Sequence, residues 1–203
     1  MMEWTPKTKI GKMVRSQEIT SIDDILKSGQ PIIESEIVDS LIPDIKSDTL
    51  SVGSTQRVTD SGRKMKFRVV VVVGDQKGHV GLGSGKSEEI KPAIEYATKE
   101  AKKKLIIVPS GCGSWECRCT GKHSIPQRLE GKEGSTKVIL YPAPKGVGLA
   151  ANDVIKKVLG MAGIRDVWSK TTGNTANMYN MASATIHALN SYNKKKPKKE
   201  ESE

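Results

Sequence analysis

The chain has 203 residues, enough for one large domain or two small ones that each bury a core. Its formal net charge of +10 and pI of about 9.5 favour a polyanionic partner, nucleic acid before an anionic membrane surface. A bilayer span needs roughly 18 consecutive apolar residues, and the sequence has no such run and no signal-type apolar core near its start, so it reads as cytosolic and without a membrane partner. Three cysteines are too few for a disulfide framework.

The charge is uneven. Residues 1–56 carry 6 basic and 9 acidic side chains, whereas residues 57–104 carry 12 and 6 and residues 115–170 carry 10 and 5. Two central regions are therefore basic and the leader is not. Aromatics make up 4% of the chain, with Phe67 the single phenylalanine, so an RNA partner is held by phosphate and shape more than by base stacking.

In the leader, "TSIDDILKSG" predicts a short helix capped at Thr20/Ser21, with acids in its first turn and Gly29 as its stop. Ile33, Ile37 and Leu41 recur every four residues before Pro43 and predict another. Next, "STQRVTD" reads as a strand, "SGRK" as a polar turn and "KFRVVVVV" as a β-branched strand ended by "GDQKG"; "HVGLG" is a short third strand. A helix follows from about Glu88 to Lys104, with Ile90, Ala93, Ile94, Ala97, Ala101 and Leu105 as its apolar stripe. "IIVPSGCG" is a connector. In the second half, "HSIPQRLEG" and "STKVILYPAP" read as strands around the turn "GKEGS". "KGVGLAANDVIKKVLGMAGI" is a glycine-rich loop opening a helix with Val154, Ile155, Val158, Leu159 and Ala162 on one face. "RDVWSKTTG" is a strand, and the last helix turns Met178, Met181, Thr185 and Leu189 inward. The charged tail from about residue 193 is expected to be disordered.

"HVGLGSGKSEEI" ends in Gly-Lys-Ser, like a P-loop, but the first glycine of that motif would fall on Val80 and Gly81 comes one residue too late. Gly81, Gly83 and Gly85 read instead as a tight strand-to-helix turn, with Lys86 and the helix N-terminus left as a place for an RNA phosphate. Pro142 and Pro144 lead into Gly146 and Gly148, either an anion nest or an ordinary strand-to-helix turn. The histidines give no catalytic constellation, and His187 reads as packing or surface. "CGSWECRCTGKH" sets Cys112, Cys117, Cys119 and His123 within twelve residues, either a tetrahedral zinc set or three reduced thiols in a loop. The Cys-x-Cys pair fits a metal only where the loop curls. No cofactor is assigned.

"QRVTDSGRKMKFRVVVVVGDQKGHVGLGSGKSEEIKPAIEYATKEAKKKLIIVP" resembles the first domain of the universal small-subunit ribosomal protein S-five family. "GSTKVILYPAPKGVGLAANDVIKKVLGMAGIRDVWSKTTGNTANMYNMASATIHAL" resembles its second. The leader resembles the archaeal and eukaryotic branch, whose eukaryotic members are called S-two. The resemblance implies an α+β fold: a double-stranded-RNA-binding-like β-β-β-α domain, then a β-β-α-β-α domain. The division expected is a leader over 1–44, domains over 45–108 and 109–192, and a tail over 193–203. The implied role is a non-enzymatic constituent of the small subunit, in the cytoplasm. It binds rRNA where head and body join and where mRNA enters, abuts ribosomal proteins S-four and S-eight, and affects decoding accuracy. "DSGRKMKF" matches the family's rRNA-contacting hairpin, which carries that role to Arg63, Lys64 and Lys66. Arg57, Arg68, Lys86, Lys122, Arg128, Lys132 and Lys145 complete the expected rRNA contacts. Asp60 departs from the more basic hairpin of bacterial members. The alternatives are a nucleotide-binding protein using Gly81–Ser87 and a free double-stranded-RNA-binding adaptor.

Overall fold

The computed structural model describes residues 4–119 and 121–195, the side chains of Lys194 and Lys195 excepted. The chain divides into two compact units, residues 1–106 and 107–203. The fold class is mixed α+β with two four-stranded sheets. Among the described residues no helix is long and apolar enough to cross a membrane.

The leader forms three short helices, α1 (Lys9–Arg15), α2 (Ile22–Ser28) and α3 (Glu36–Leu41). The first was not expected, although Ile10, Met13 and Val14 have helical spacing; Thr8 caps it by accepting from the Gly11 N–H. Gly29 ends α2 in the left-handed conformation, as the sequence suggests. Ile33 lies outside α3 and is 60% exposed, so the four-residue repeat reduces to Ile37 and Leu41. Val14, Ile22, Ile25, Ile32, Ile37 and Val38 form a core with Leu105, against which Trp4 and Ile45 pack. The leader therefore docks on its own unit.

Polar links fix that docking. Glu34 accepts from the Trp4 indole and from the Lys7 and Thr8 N–H groups. His79 joins Asp75 through Nδ1 at 2.6 Å and Asp23 of α2 through Nε2 at 2.7 Å. Both ring nitrogens face carboxylates, which suits the doubly protonated ring. The bond to Asp75 raises the His79 pKa against the opposing effect of burial, and Asp23 adds to the rise. A raised histidine stabilises the folded state fully below its ordinary value of 6.5 and loses that contribution as pH rises through the raised value. Leader docking is expected to loosen over that interval, seen as faster amide exchange in α2, and His79→Gln is expected to remove the pH dependence.

The first sheet has the order β1-β2-β3-β4, built from β1 (Lys46–Thr59), β2 (Gly62–Gly74), β3 (His79–Ser87) and β4 (Leu105–Ile107), with α4 (Ile90–Lys103) packed on one face. The turn between β1 and β2 is Asp60-Ser61, so Arg63 and Lys64 stand on the strand and not in the turn. β2 and β3 pair antiparallel from Phe67↔Ser87 to Gly74↔Val80. Val69, Val71 and Val73 face Ala93, Ala97 and Ala101 of α4, all six fully buried.

The glycines of β3 have a different role from the one their sequence suggests. Gly-Lys-Ser lies inside the strand, and the strand-to-helix turn comes after it. A Cβ on Gly81, Gly83 or Gly85 would come within 2.3, 2.1 and 2.1 Å of the carbonyl oxygens of Ala101, Ala97 and Ala93. Two strand residues rise about 6.6 Å and four helical residues about 6 Å, so the two repeats stay in step. The glycines let helix and strand backbones touch.

The second sheet has the order β5-β6-β8-β7, from β5 (Leu129–Glu133), β6 (Thr136–Pro142), β7 (Leu149–Ala150) and β8 (Val167–Thr172). Its helices are α5 (Asp153–Ala162), capped by Asn152 and ended at left-handed Gly163, and α6 (Met178–Lys195). β5 starts only at Leu129, later than "HSIPQRLEG" predicts, and α6 runs on to Lys195. β4 and β7 are too short to carry a pattern and were not anticipated. Ile155, Val158, Leu159 and Ala162 are buried as expected. Met181, Thr185 and Leu189 are fully buried too, but Met178, at the start of α6, is 45% exposed. The expected disorder of the tail falls outside the described residues beyond Lys195.

Candidate functional site

Beyond Phe67 the β1–β2 hairpin leaves β3 behind and runs on for five residue pairs, Thr55↔Lys66 to Thr59↔Gly62. Side chains alternate along a strand, and the register sorts them. Arg57, Lys64, Lys66, Arg68 and Lys86 fall on the sheet face opposite α4. Arg57 stands directly across from Lys64, and Arg68 across from Lys86. Like charges directly opposite are destabilising. Arg57, Lys64, Lys66 and Lys86 line one groove together with Thr55 and Thr59. All four are exposed.

Arg63 falls on the other face, the one that carries Val52, Val58 and Met65, which are 50%, 76% and 48% exposed. The ribbon thus has a cationic side and a largely apolar side. Sequence reasoning placed Arg63, Lys64 and Lys66 in one cluster; the pleat separates the first from the other two.

In the second unit Lys122, Arg128, Lys132 and Lys145 are all exposed. Arg128 is engaged within the chain: its guanidinium pairs with Glu130 and lies 5.4 Å from the Tyr141 ring centroid. Lys132 is opposite Lys137 across β5 and β6, a further like-charge pair; Lys137 in turn meets Glu130 at 3.0 Å. His187 is a surface residue beside Glu133.

Gly146 and Gly148 have positive φ, and their N–H groups converge as an anion nest requires. The anion is the chain's own: both donate to Asp166 Oδ1, at 3.1 and 2.9 Å. Asp166 is 4% exposed and its other oxygen meets His123 Nδ1 at 2.8 Å. Burial would raise its pKa, but the Gly148 and Gly146 N–H groups and the His123 ring outweigh that and hold it below the usual range. The sequence reading left Asp166 out, because nothing local marks a residue 43 positions away as the partner of His123.

The loop from Gly111 to Ser124 is closed by a β-bridge between those residues, and the Gly113 N–H donates to the Ile125 carbonyl. Inside it the chain curls, with the Cys117 N–H reaching the Ser114 carbonyl. Ligand atoms of Cys112, Cys117, Cys119 and His123 all lie within 4.8 Å of one another. Cys117 and Cys119 sulfurs are 2.9 Å apart, and His123 Nε2 is 3.0 Å from Cys119 Sγ. The hydrogen bond between the two thiols holds the Cys117 pKa down to about 6 and pushes that of Cys119 up to about 11. Trp115, 89% exposed, stands on this loop.

Gly81–Ser87 is a paired strand and cannot wrap a phosphate, because alternate N–H groups are spent on the ladder and Gly81, Gly83 and Gly85 face a helix. Neither ATP nor GTP with Mg²⁺ is expected to bind, and Lys86→Ala is expected to leave an equilibrium-dialysis measurement at background.

Two sheet-and-helix units, one with a concentrated cationic face crossed by like-charge pairs, define a basic two-domain binding protein. The family profile described as ribosomal protein S5, N-terminal domain, matches residues 45–109, and that of the ribosomal protein S5 C-terminal domain matches residues 131–202. The chain is 55% identical over 191 residues to the small ribosomal subunit protein uS5 of Methanocaldococcus jannaschii, covering 94% of this chain and 88% of the relative. It is 51% identical to the protein of the same name from Methanospirillum hungatei, over 94% and 93% of the two chains. For that of Thermofilum pendens the identity is 52%, over 92% and 93%. The chain belongs to the ribosomal protein S5 family.

Proposed function

We propose that this chain is a structural constituent of the small ribosomal subunit in the cytoplasm, and that it binds rRNA without catalysing any reaction. The observation that carries this is the cationic face opposite α4, where Arg57 faces Lys64 and Arg68 faces Lys86. The Arg57–Lys64 pair is unfavourable in the free protein and becomes favourable when a phosphate lies between its members. The relatives' shared name supports the ribosomal setting. Each neutralised phosphate releases counterions, while the surrounding RNA shape supplies specificity.

The contact set is Arg57, Lys64, Lys66, Arg68 and Lys86 on one face, with Arg63 on the other, and Lys122, Lys132 and Lys145 in the second unit. Arg128 belongs to it once phosphate displaces Glu130. The leader over 1–44 braces the RNA-binding domain at 45–108, the domain at 109–192 follows, and 193–203 is a charged tail. The family resemblance extends the reading to the junction of head and body where mRNA enters, to contact with ribosomal proteins S-four and S-eight, and to decoding accuracy.

Gradient sedimentation of lysate tests this. The chain is expected with small subunits after moderate salt. Recovery with free double-stranded RNA, away from ribosomal particles, would instead make it an adaptor.

A further inference from the structure

We propose that Cys112, Cys117, Cys119 and His123 form a closed, structural zinc site, with Asp166 as the residue that positions His123. Four soft donors at the corners of a tetrahedron about 2.3 Å from zinc through sulfur, and about 2.0 Å through nitrogen, lie roughly 3.5–3.8 Å apart. The four donors here are within 4.8 Å of one another, with separations of 2.9, 3.0 and 3.7 Å among Cys117, Cys119 and His123. Shifts of about an ångström in an exposed loop bring them to that geometry. A set of three thiolates and one imidazole selects zinc over the hard cations, which take oxygen ligands.

The surroundings are arranged as a metal centre requires. His123 Nδ1 donates to Asp166 Oδ2, which fixes the tautomer and leaves the Nε2 lone pair facing the sulfurs. The backbone carbonyl of His123 accepts from the Arg165 and Asp166 N–H groups, so ring and backbone are both held. Binding releases the thiol protons to solvent, takes the imidazole neutral and leaves the site with one net negative charge. Arg118 and Lys122, within the same loop, suit that charge.

The consequence for the fold is specific. Zinc would tie the 111–124 loop to Asp166, and through Asp166 Oδ1 to the Gly146–Gly148 turn. One ion would then order three segments that carry little regular structure of their own.

The test uses the full chain purified under reducing conditions. One equivalent of zinc per chain is expected by elemental analysis. Cobalt(II) added after chelation is expected to give the intense visible bands of tetrahedral coordination with thiolate-to-metal charge transfer. Cys119→Ser is expected to lose stoichiometric metal, while His187→Ala keeps it. Asp166→Asn is expected to weaken cobalt affinity about 10- to 100-fold with the tetrahedral spectrum retained. Because the cobalt titration is made on the unmodified chain, a variant that fails to fold does not decide it. A folded, unmodified chain that takes up no zinc and gives no tetrahedral cobalt spectrum would overturn the site. Unchanged cobalt affinity in a folded Asp166→Asn protein would remove Asp166 from its assigned role.

Discussion

Gly83→Ala is expected to destabilise the first unit by about 3 kcal/mol or more, because the new methyl has nowhere to go. Its carbon would lie 2.1 Å from the Ala97 carbonyl oxygen and 2.4 Å from the Ala101 nitrogen. Those are backbone atoms, so no rotamer change relieves the overlap. The helix must lift from the strand, and the contacts of Val69, Val71 and Val73 with the three alanines are lost together. Urea unfolding of the variant is expected to show the loss as a lower midpoint. Gly53→Ala is the matched control: it is a strand glycine with nothing within 4 Å of its added carbon, and a change within about 0.5 kcal/mol is expected. A small effect of Gly83→Ala would mean that α4 does not rest on β3 as described. The second unit repeats the device at Gly131, where an added Cβ would be 2.0 Å from the Ala184 carbonyl oxygen.

The second large effect is on RNA binding. Replacing Arg57, Lys64, Lys66 and Lys86 together by alanine is expected to flatten the salt dependence of affinity for the small-subunit rRNA. Each lost phosphate contact lowers the slope by about 0.9, taking the duplex value as a guide, so four lower it by up to about 3.6. The folded state is not expected to suffer. Removing the repulsion between Arg57 and Lys64 instead stabilises the hairpin by a few tenths of a kcal/mol. Lys99→Ala, an exposed lysine on α4 and so on the other side of the sheet, is expected to leave the slope unchanged. Filter binding across a salt series gives the slopes. Equal slopes for the quadruple variant and the unmodified chain would refute the assignment of this face.

Much of the architecture is legible in the residue order. The β-branched run 69–73, the alanine repeat of α4 and the stripe of α5 are local periodicities, and each produced the element it predicts. The caps at Asn152 and Gly29 are also local. The misses have one cause: the residue's neighbours in space are far away in sequence. Gly81, Gly83 and Gly85 look like a turn because glycine favours turns. Their reason for being glycine is a helix 8 to 20 residues further on. Gly146 and Gly148 look like a vacant anion nest, and a carboxylate 18 to 20 residues away fills it. Met178 looks inward by helical spacing, but it opens α6 and is 45% exposed.

The charge balance, the alternation of strands and helices, and the set of cysteine and histidine donors are properties of the chain itself, since composition and short-range periodicity need no fold to be expressed. Which cations share a face, which glycines admit a backbone, and which carboxylate meets His123 were decided only by the tertiary structure. Strand register sets the first: a shift of one residue would move Lys64 and Lys66 to the α4 side and bring Arg63 to the other. Packing distance and chain reversal set the rest, because they join residues that no local pattern connects.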